Sequence, residues 1–212
     1  MPTLDTSGEL QRIWQQLGEC DFAVSSDVAL GLGTELRQHI VDTFFTEKML
    51  ESDNPAVHHD RDRARDVIRY SWTDGELDLH EHENIEINDR SGYAGSRTVK
   101  RAILLDDAPM TDWLQTVLRL VPPAARQDAG TFGVNFLRTR TQVVSGPHHD
   151  DEEYVLVYVV DKVGDGAETT LHAIDDPDRI VHRVTLAPGD LIVFLDAAVL
   201  HNASPLDSTH GT

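Results

Sequence analysis

From Thr131 onward the chain alternates short apolar runs with turn signals, and this rhythm limits the available folds more than any other feature. Residues 131–143, 154–160, 168–173, 179–186 and 190–195 read as strands. "SGPHHDD", "KVGDG", "DDPD" and "APGD" separate them, each with the Gly, Pro or Asp that a chain reversal needs. Short strands at this spacing suggest a sandwich or barrel.

The first half reads differently. Thr6 and Glu9 have the form of a capping box, Leu10, Ile13, Trp14 and Leu17 follow at helical spacing, and Gly18 is a stop. Leu32, Leu36, Ile40 and Phe44 suggest a second helix. Leu114, Val117, Leu118 and Val121 suggest a third, ended by Pro122-Pro123. Residues 51–66, "ESDNPAVHHDRDRARD", read as a charged loop or lid. Strand-like alternation appears at Ile68, Tyr70 and Trp72, at Ile85 and Ile87, and from Val99 to Leu105. The expected fold class is α+β with a mainly β core, with N-terminal helices packed on it. A length of 212 residues with 40% apolar content suits a single domain, 1–212. Its helical and mixed part reaches to about residue 130 and its β core runs from about 131.

Charge and segment patterns narrow the function. A formal charge of −19 repels phosphate backbones and anionic lipid, which argues against nucleic-acid and membrane-surface roles. No run approaches the ~20 apolar residues of a membrane span. The start, "MPTLDTSGELQRIW", has neither a basic nor an apolar leader region, so a cytoplasmic protein is expected. The single cysteine, Cys20, reads as a small buried or half-buried thiol.

The eleven histidines are more informative, because several cluster. His58-His59 are adjacent and cannot easily aim at one point, so they read as exposed. His80 and His82 alternate on a possible strand with Glu86 beyond them, a spacing similar to the first metal motif of cupins, though no matching second motif follows. The third group is "HHDD", 148–151 being two overlapping His-x-Asp pairs, together with His201, 53 residues after His148. Two imidazoles and a carboxylate make a facial triad for Fe(II), with the opposite face left open. The His-x-Asp spacing sends both side chains off one side of an extended backbone, and the third ligand must then come from another strand. Local pattern does not choose between His148 with Asp150 and His149 with Asp151. A solvated acidic turn explains the same letters.

The order of motifs from Gly146 to Leu206 resembles the Fe(II)/2-oxoglutarate-dependent dioxygenases, and most of all the bacterial free L-amino-acid hydroxylases of the isoleucine dioxygenase type. "HHDDEEYVLVYVV", Gly166-Ala167-Glu168 (for a Gly-Gly-Glu turn), Pro188-Gly189-Asp190, His201 and Ser204-Pro205-Leu206 carry the likeness. It covers about the last third of the chain and extends weakly to "RYSW" (69–72) and "VNFLRTRTQ" (134–142).

The resemblance implies a double-stranded β-helix. It also implies a register, since the family strand begins seven residues after the histidine and Val155 is seven beyond His148. Fe(II) would then be held by His148, Asp150 and His201, with 2-oxoglutarate chelating the metal and O2 as the second cosubstrate. A retained Asp150 implies hydroxylation rather than halogenation. The implied substrate is a free amino acid or related small molecule. The same chemistry on a protein or carrier-tethered residue, desaturation or cyclisation, and a non-catalytic metal- or ligand-binding module are the alternatives. The family places an Arg or Lys some ten residues after the distal histidine. None lies between His201 and Thr212, so either the chain is truncated or another residue supplies the cation. Arg138 is the candidate for the far carboxylate of 2-oxoglutarate, Arg140 and Glu168 for the substrate. Tyr154, Tyr158 and Trp72 read as core aromatics.

Overall fold

The structure is a computed structural model that describes residues 6–52, 61–82, 101–140 and 146–207. Its helices are α1 (Ser7–Cys20), α2 (Thr34–Phe44) and α3 (Ala108–Leu118). Its strands are β1 (Phe22–Ser26), β2 (Glu51–Ser52), β3 (Arg61–Thr73), β4 (Glu76–Glu81), β5 (Ala129–Thr139), β6 (Tyr154–Tyr158), β7 (Asp165–Gly166), β8 (Glu168–Ala173), β9 (Asp176–Thr185), β10 (Asp190–Leu195), β11 (Val199–Ala203) and β12 (Leu206–Asp207). They gather into two compact units. One comprises residues 1–38, 116–124 and 140–212, the other 39–115 and 125–139.

The first unit holds two antiparallel three-stranded sheets, ordered β1-β10-β6 and β11-β8-β9, plus the short β7–β12 pair. Their inner faces share a core of Leu171, Leu186, Ile192, Phe194 and Val199, with Phe22, Val24, Val155, Val157 and Val184 packed against it. Two short sheets closing over one apolar core is the plan of a double-stranded β-helix. β10 lies between β1 and β6, and Leu191 to Phe194 are all buried. That is why its sequence is a continuous apolar run rather than an alternation.

α1 differs from its expected ends. Thr6 makes no side-chain cap, and Glu9 binds Arg12 and the Ser25 hydroxyl instead of closing a capping box. The helix runs past Gly18 and stops at Asp21, which takes a left-handed φ of 66° and donates its N–H to Leu17 O. Aspartate tolerates that conformation, and nothing within 4 Å of Gly18 demands a glycine there. Cys20 is exposed rather than buried, because the inward stripe of α1 is Ile13 and Leu17.

In the second unit β3 is the central strand. β5 pairs with it from Arg61 to Ser71, while β2 and β4 take its other edge at opposite ends. One face packs Ala64, Ile68, Val134 and Phe136, and Phe44 stacks on Phe136 at 4.9 Å. Residues 61–66 are therefore strand and not part of a charged loop. Their charges alternate sides, and only the even positions meet the core. Residues 53–60, with His58 and His59, lie outside the described residues.

Candidate metal centre

His148 and His201 are direct cross-strand neighbours. His148 N–H donates to His201 O (3.1 Å) and His201 N–H donates to His148 O (2.8 Å). Such a hydrogen-bonded antiparallel pair puts both side chains on one face, and the two rings lie 4.3 Å apart. This ties the turn before β6 to β11 and closes the 53-residue gap in sequence. His201 continues the inward stripe begun by Val199, with its ring 5.1 Å from Phe194. Its side chain is only 15% exposed. Burial, and next the neighbouring His148, push His201 below the usual imidazole range, which favours the neutral form with a lone pair to donate.

Asp150 completes the group. Its Oδ1 lies 3.7 Å from His148 Nε2 and its Oδ2 3.7 Å from His201 Nε2. Donor atoms of the three residues all lie within 4.8 Å of one another, and no other such cluster of three His, Cys, Asp or Glu occurs among the described residues. Neighbouring ligands of an octahedral ion with ~2.1 Å bonds lie about 3 Å apart, so sub-ångström movements bring these donors into range. The donor chemistry fits Fe(II) as well. His148 Nδ1 lies 3.0 Å from Gly146 O, a contact that sets a proton on Nδ1 and leaves the Nε2 lone pair to face the group. His149 and Asp151 instead face each other at 3.2 Å, both about half exposed. Asp151 has φ 62°, so the backbone turns over directly after Asp150 and takes the second pair elsewhere.

Sequence reading missed Asp196. It is fully buried in the turn between β10 and β11. Its Oδ2 accepts the N–H groups of Asp150 (2.8 Å) and Glu152 (3.0 Å). Among the described residues its Oδ1 has no hydrogen-bond partner and sits 3.7 Å from His201 Nδ1, which also has none. One carboxylate thus braces the turn that carries Asp150 and faces the back of His201. No local signal marked it in "FLDAAVLH", since its burial and its partners come from the fold.

The other candidates fall elsewhere. Arg138 is on β5, in the second unit, on the face with Val134 and Phe136, and donates from Nε and Nη2 to Asp62 Oδ2 (2.9 and 2.6 Å). Arg140 is exposed just past that strand. Glu168 faces away from Leu171 and His201 across β8, and binds Arg183 at 3.2 Å. His80 is exposed on β4 and His82 follows the strand, while Glu86 lies outside the described residues. Tyr158 is half-buried, and its hydroxyl donates to the buried Asp27 (3.1 Å), which Arg37 also binds.

Comparison with known proteins agrees with the geometry. Residues 48–212 match the family model described as 2OG-Fe dioxygenase. No curated protein matches. Among solved structures, a bsmA homolog from Methylobium petroleophilum PM1 has a TM-score of 0.73 at 17% identity, covering 93% of this chain and 84% of its own. The Fe(II)/(alpha)ketoglutarate-dependent dioxygenase TqaL has a TM-score of 0.69 at 13% identity, with coverage of 99% and 84%. IDO from Bacillus thuringiensis has a TM-score of 0.68 at 14% identity, with coverage of 100% and 91%. At these identities the structures speak to the jelly-roll fold alone. With the family match over most of the chain and the His148–Asp150–His201 cluster in place, the protein belongs to the 2OG-Fe dioxygenase family and is a 2-oxoglutarate/Fe(II)-dependent oxygenase.

Proposed function

We propose that the enzyme hydroxylates a free amino acid or a closely related small molecule. Per turnover, one O2 and one 2-oxoglutarate are consumed. One oxygen atom enters the substrate C–H bond and the other enters succinate, with release of CO2. The observation that carries this reading is the complete two-histidine, one-carboxylate set, with Asp150 present rather than a small residue that would leave room for halide. The order of motifs around it, similar to the free amino-acid hydroxylases, supports the substrate class.

When bound, Fe(II) supplies the oxidative chemistry, and the chain's own groups set its position. Gly146 O fixes the His148 tautomer, burial lowers the pKa of His201, and Asp196 braces the turn carrying Asp150. Asp150 is half exposed, so the cluster is open on its carboxylate side, where ligands can enter. The roles assigned from sequence are part of this proposal. Arg138 has to exchange Asp62 for the far carboxylate of 2-oxoglutarate. Glu168 has to exchange Arg183 for a substrate group, and Arg140 is offered as a second substrate contact.

The test is succinate formation by the Fe(II)-loaded protein across the free L-amino acids, with product mass read in parallel. One amino acid that couples succinate release to a gain of one oxygen atom supports the proposal. Succinate release uncoupled from every amino acid refutes the substrate class while leaving the enzyme class intact.

A further inference from the structure

The turn that carries Asp150 is gripped at a single atom. The N–H groups of Asp150 and Glu152 both donate to Asp196 Oδ2, at 2.8 and 3.0 Å. In an extended strand two N–H groups at i and i+2 are spaced roughly 6.6 Å, too far apart for both to reach one oxygen at those distances. The chain must bend between them, and Asp151 is the residue between. Its φ is 62°. A left-handed residue folds the N–H groups on either side of it into a concave nest, which suits an anionic oxygen. That oxygen belongs to a fully buried side chain, so Asp196 is the fixed partner and the turn is the part that conforms.

Positive φ at a residue with a Cβ has a cost, and elsewhere the chain accepts it for a visible reason. Asp21 (φ 66°) ends α1, and Asp74 (φ 53°) with Gly75 (φ 84°) turns β3 into β4. Asp151 ends no helix and joins no hairpin. Beside it stands the metal centre, since Asp150 precedes it with Oδ1 3.7 Å from His148 Nε2 and Oδ2 3.7 Å from His201 Nε2. The Asp151 side chain itself meets His149 Nδ1 at 3.2 Å, so the carboxylate that makes the bend stays out of the metal group.

We propose that Asp151 is a positioning residue of the metal centre. Its left-handed backbone bends the turn so that Asp196 holds it from behind while the Asp150 carboxylate faces His148 and His201. The backbone conformation performs this role, and the charge of the side chain does not. The role belongs to the iron site and is independent of which substrate the enzyme takes.

The experiment compares Asp151→Gly with Asp151→Ala in the full-length protein. Both delete the carboxylate and its contact with His149, and they differ in the freedom of the backbone. Glycine takes the left-handed region freely, whereas alanine enters it about five- to thirtyfold less readily. A turn that is only partly in its competent form lowers the apparent affinity by that fraction. Anaerobic Fe(II) binding by competition with a chelator is the readout, beside thermal melts of the metal-free variants. Asp151→Gly, and Asp151→Asn as the conservative change, should bind iron within about threefold of wild type. Asp151→Ala should bind it about five- to thirtyfold more weakly than Asp151→Gly, and the β-branched Asp151→Val at least as weakly as Asp151→Ala. A glycine-to-alanine ratio below fivefold overturns the proposal. If both variants then bind tightly, the bend does not need Asp151. If both bind weakly, the carboxylate acts and the backbone does not. A melting temperature that falls in Asp151→Ala without that ratio makes Asp151 a structural turn residue only, and the proposal fails in the same way.

Discussion

Asp196→Asn is the most informative single change at the metal centre. The buried carboxylate makes two kinds of contact that this substitution separates. Asn can keep a carbonyl oxygen where Oδ2 now accepts from Asp150 and Glu152 at 2.8 and 3.0 Å. It then turns an NH2 group toward His201 Nδ1, 3.7 Å away. With a metal on Nε2, Nδ1 must carry the proton, so donor meets donor and the ring loses its brace. Loss of such an outer carboxylate typically costs about 10–100-fold in metal affinity, or roughly 1.4–2.7 kcal/mol. Asp196→Ala removes both contacts. Two N–H groups lose their acceptor at about 1–2 kcal/mol each, so the metal-free protein should lose about 2–4 kcal/mol and melt roughly 4–16 °C lower. The assay is anaerobic Fe(II) binding by competition with a chelator, run beside thermal melts of metal-free protein. Asn should weaken iron binding with little change in melting, and Ala should lower both. Unchanged iron affinity in a folded Asp196→Asn protein would refute the argument that Asp196 orients His201.

Three further outcomes are expected. His148→Ala should abolish Fe(II) binding and His149→Ala should retain it, because only the first ring faces Asp150 and His201; iron content after gel filtration decides this. Asp66 supplies a pH signature. Burial, opposed by Arg101 and reinforced by Glu81, pushes its carboxyl up to about 6 from an ordinary 3.8. The folded state therefore holds a proton that the unfolded chain releases near pH 4, and its contribution is lost as pH rises through about 6. The loss is at most about 3 kcal/mol over that window, and Asp66→Asn should remove it, as denaturant melts at pH 4 and 7 will show. Finally, Asp62→Asn should raise the affinity for 2-oxoglutarate if Arg138 serves its far carboxylate, since the competing ion pair is weakened. Unchanged affinity in both Asp62→Asn and Arg138→Ala would remove Arg138 from the site.

The amino-acid sequence determined the β architecture well. β5, β6, β8, β9 and β10 fall where apolar runs and Gly/Pro/Asp turns put them, because both signals are local. α2 likewise follows from Leu36, Ile40 and Phe44 at helical spacing, although it starts at Thr34 and leaves Leu32 outside. The sequence determined the ligand types, but between the two His-x-Asp pairs only the strand register implied by the family resemblance chose the one that the structure brings to His201. What stayed illegible depended on contacts between distant segments. β1 is five residues long and is a strand because β10 offers it an edge. The charged run 61–66 read as a loop because its charge outweighed its alternation, and only pairing with β5 shows that the alternation sorts arginine from aspartate. Asp196 carried no local signal of a role, and only the fold sets it between Asp150 and His201. Local spacing reports which side of a strand a residue takes. Which groups share that side comes from the pairing of strands far apart in sequence, and that is where the metal centre was assembled.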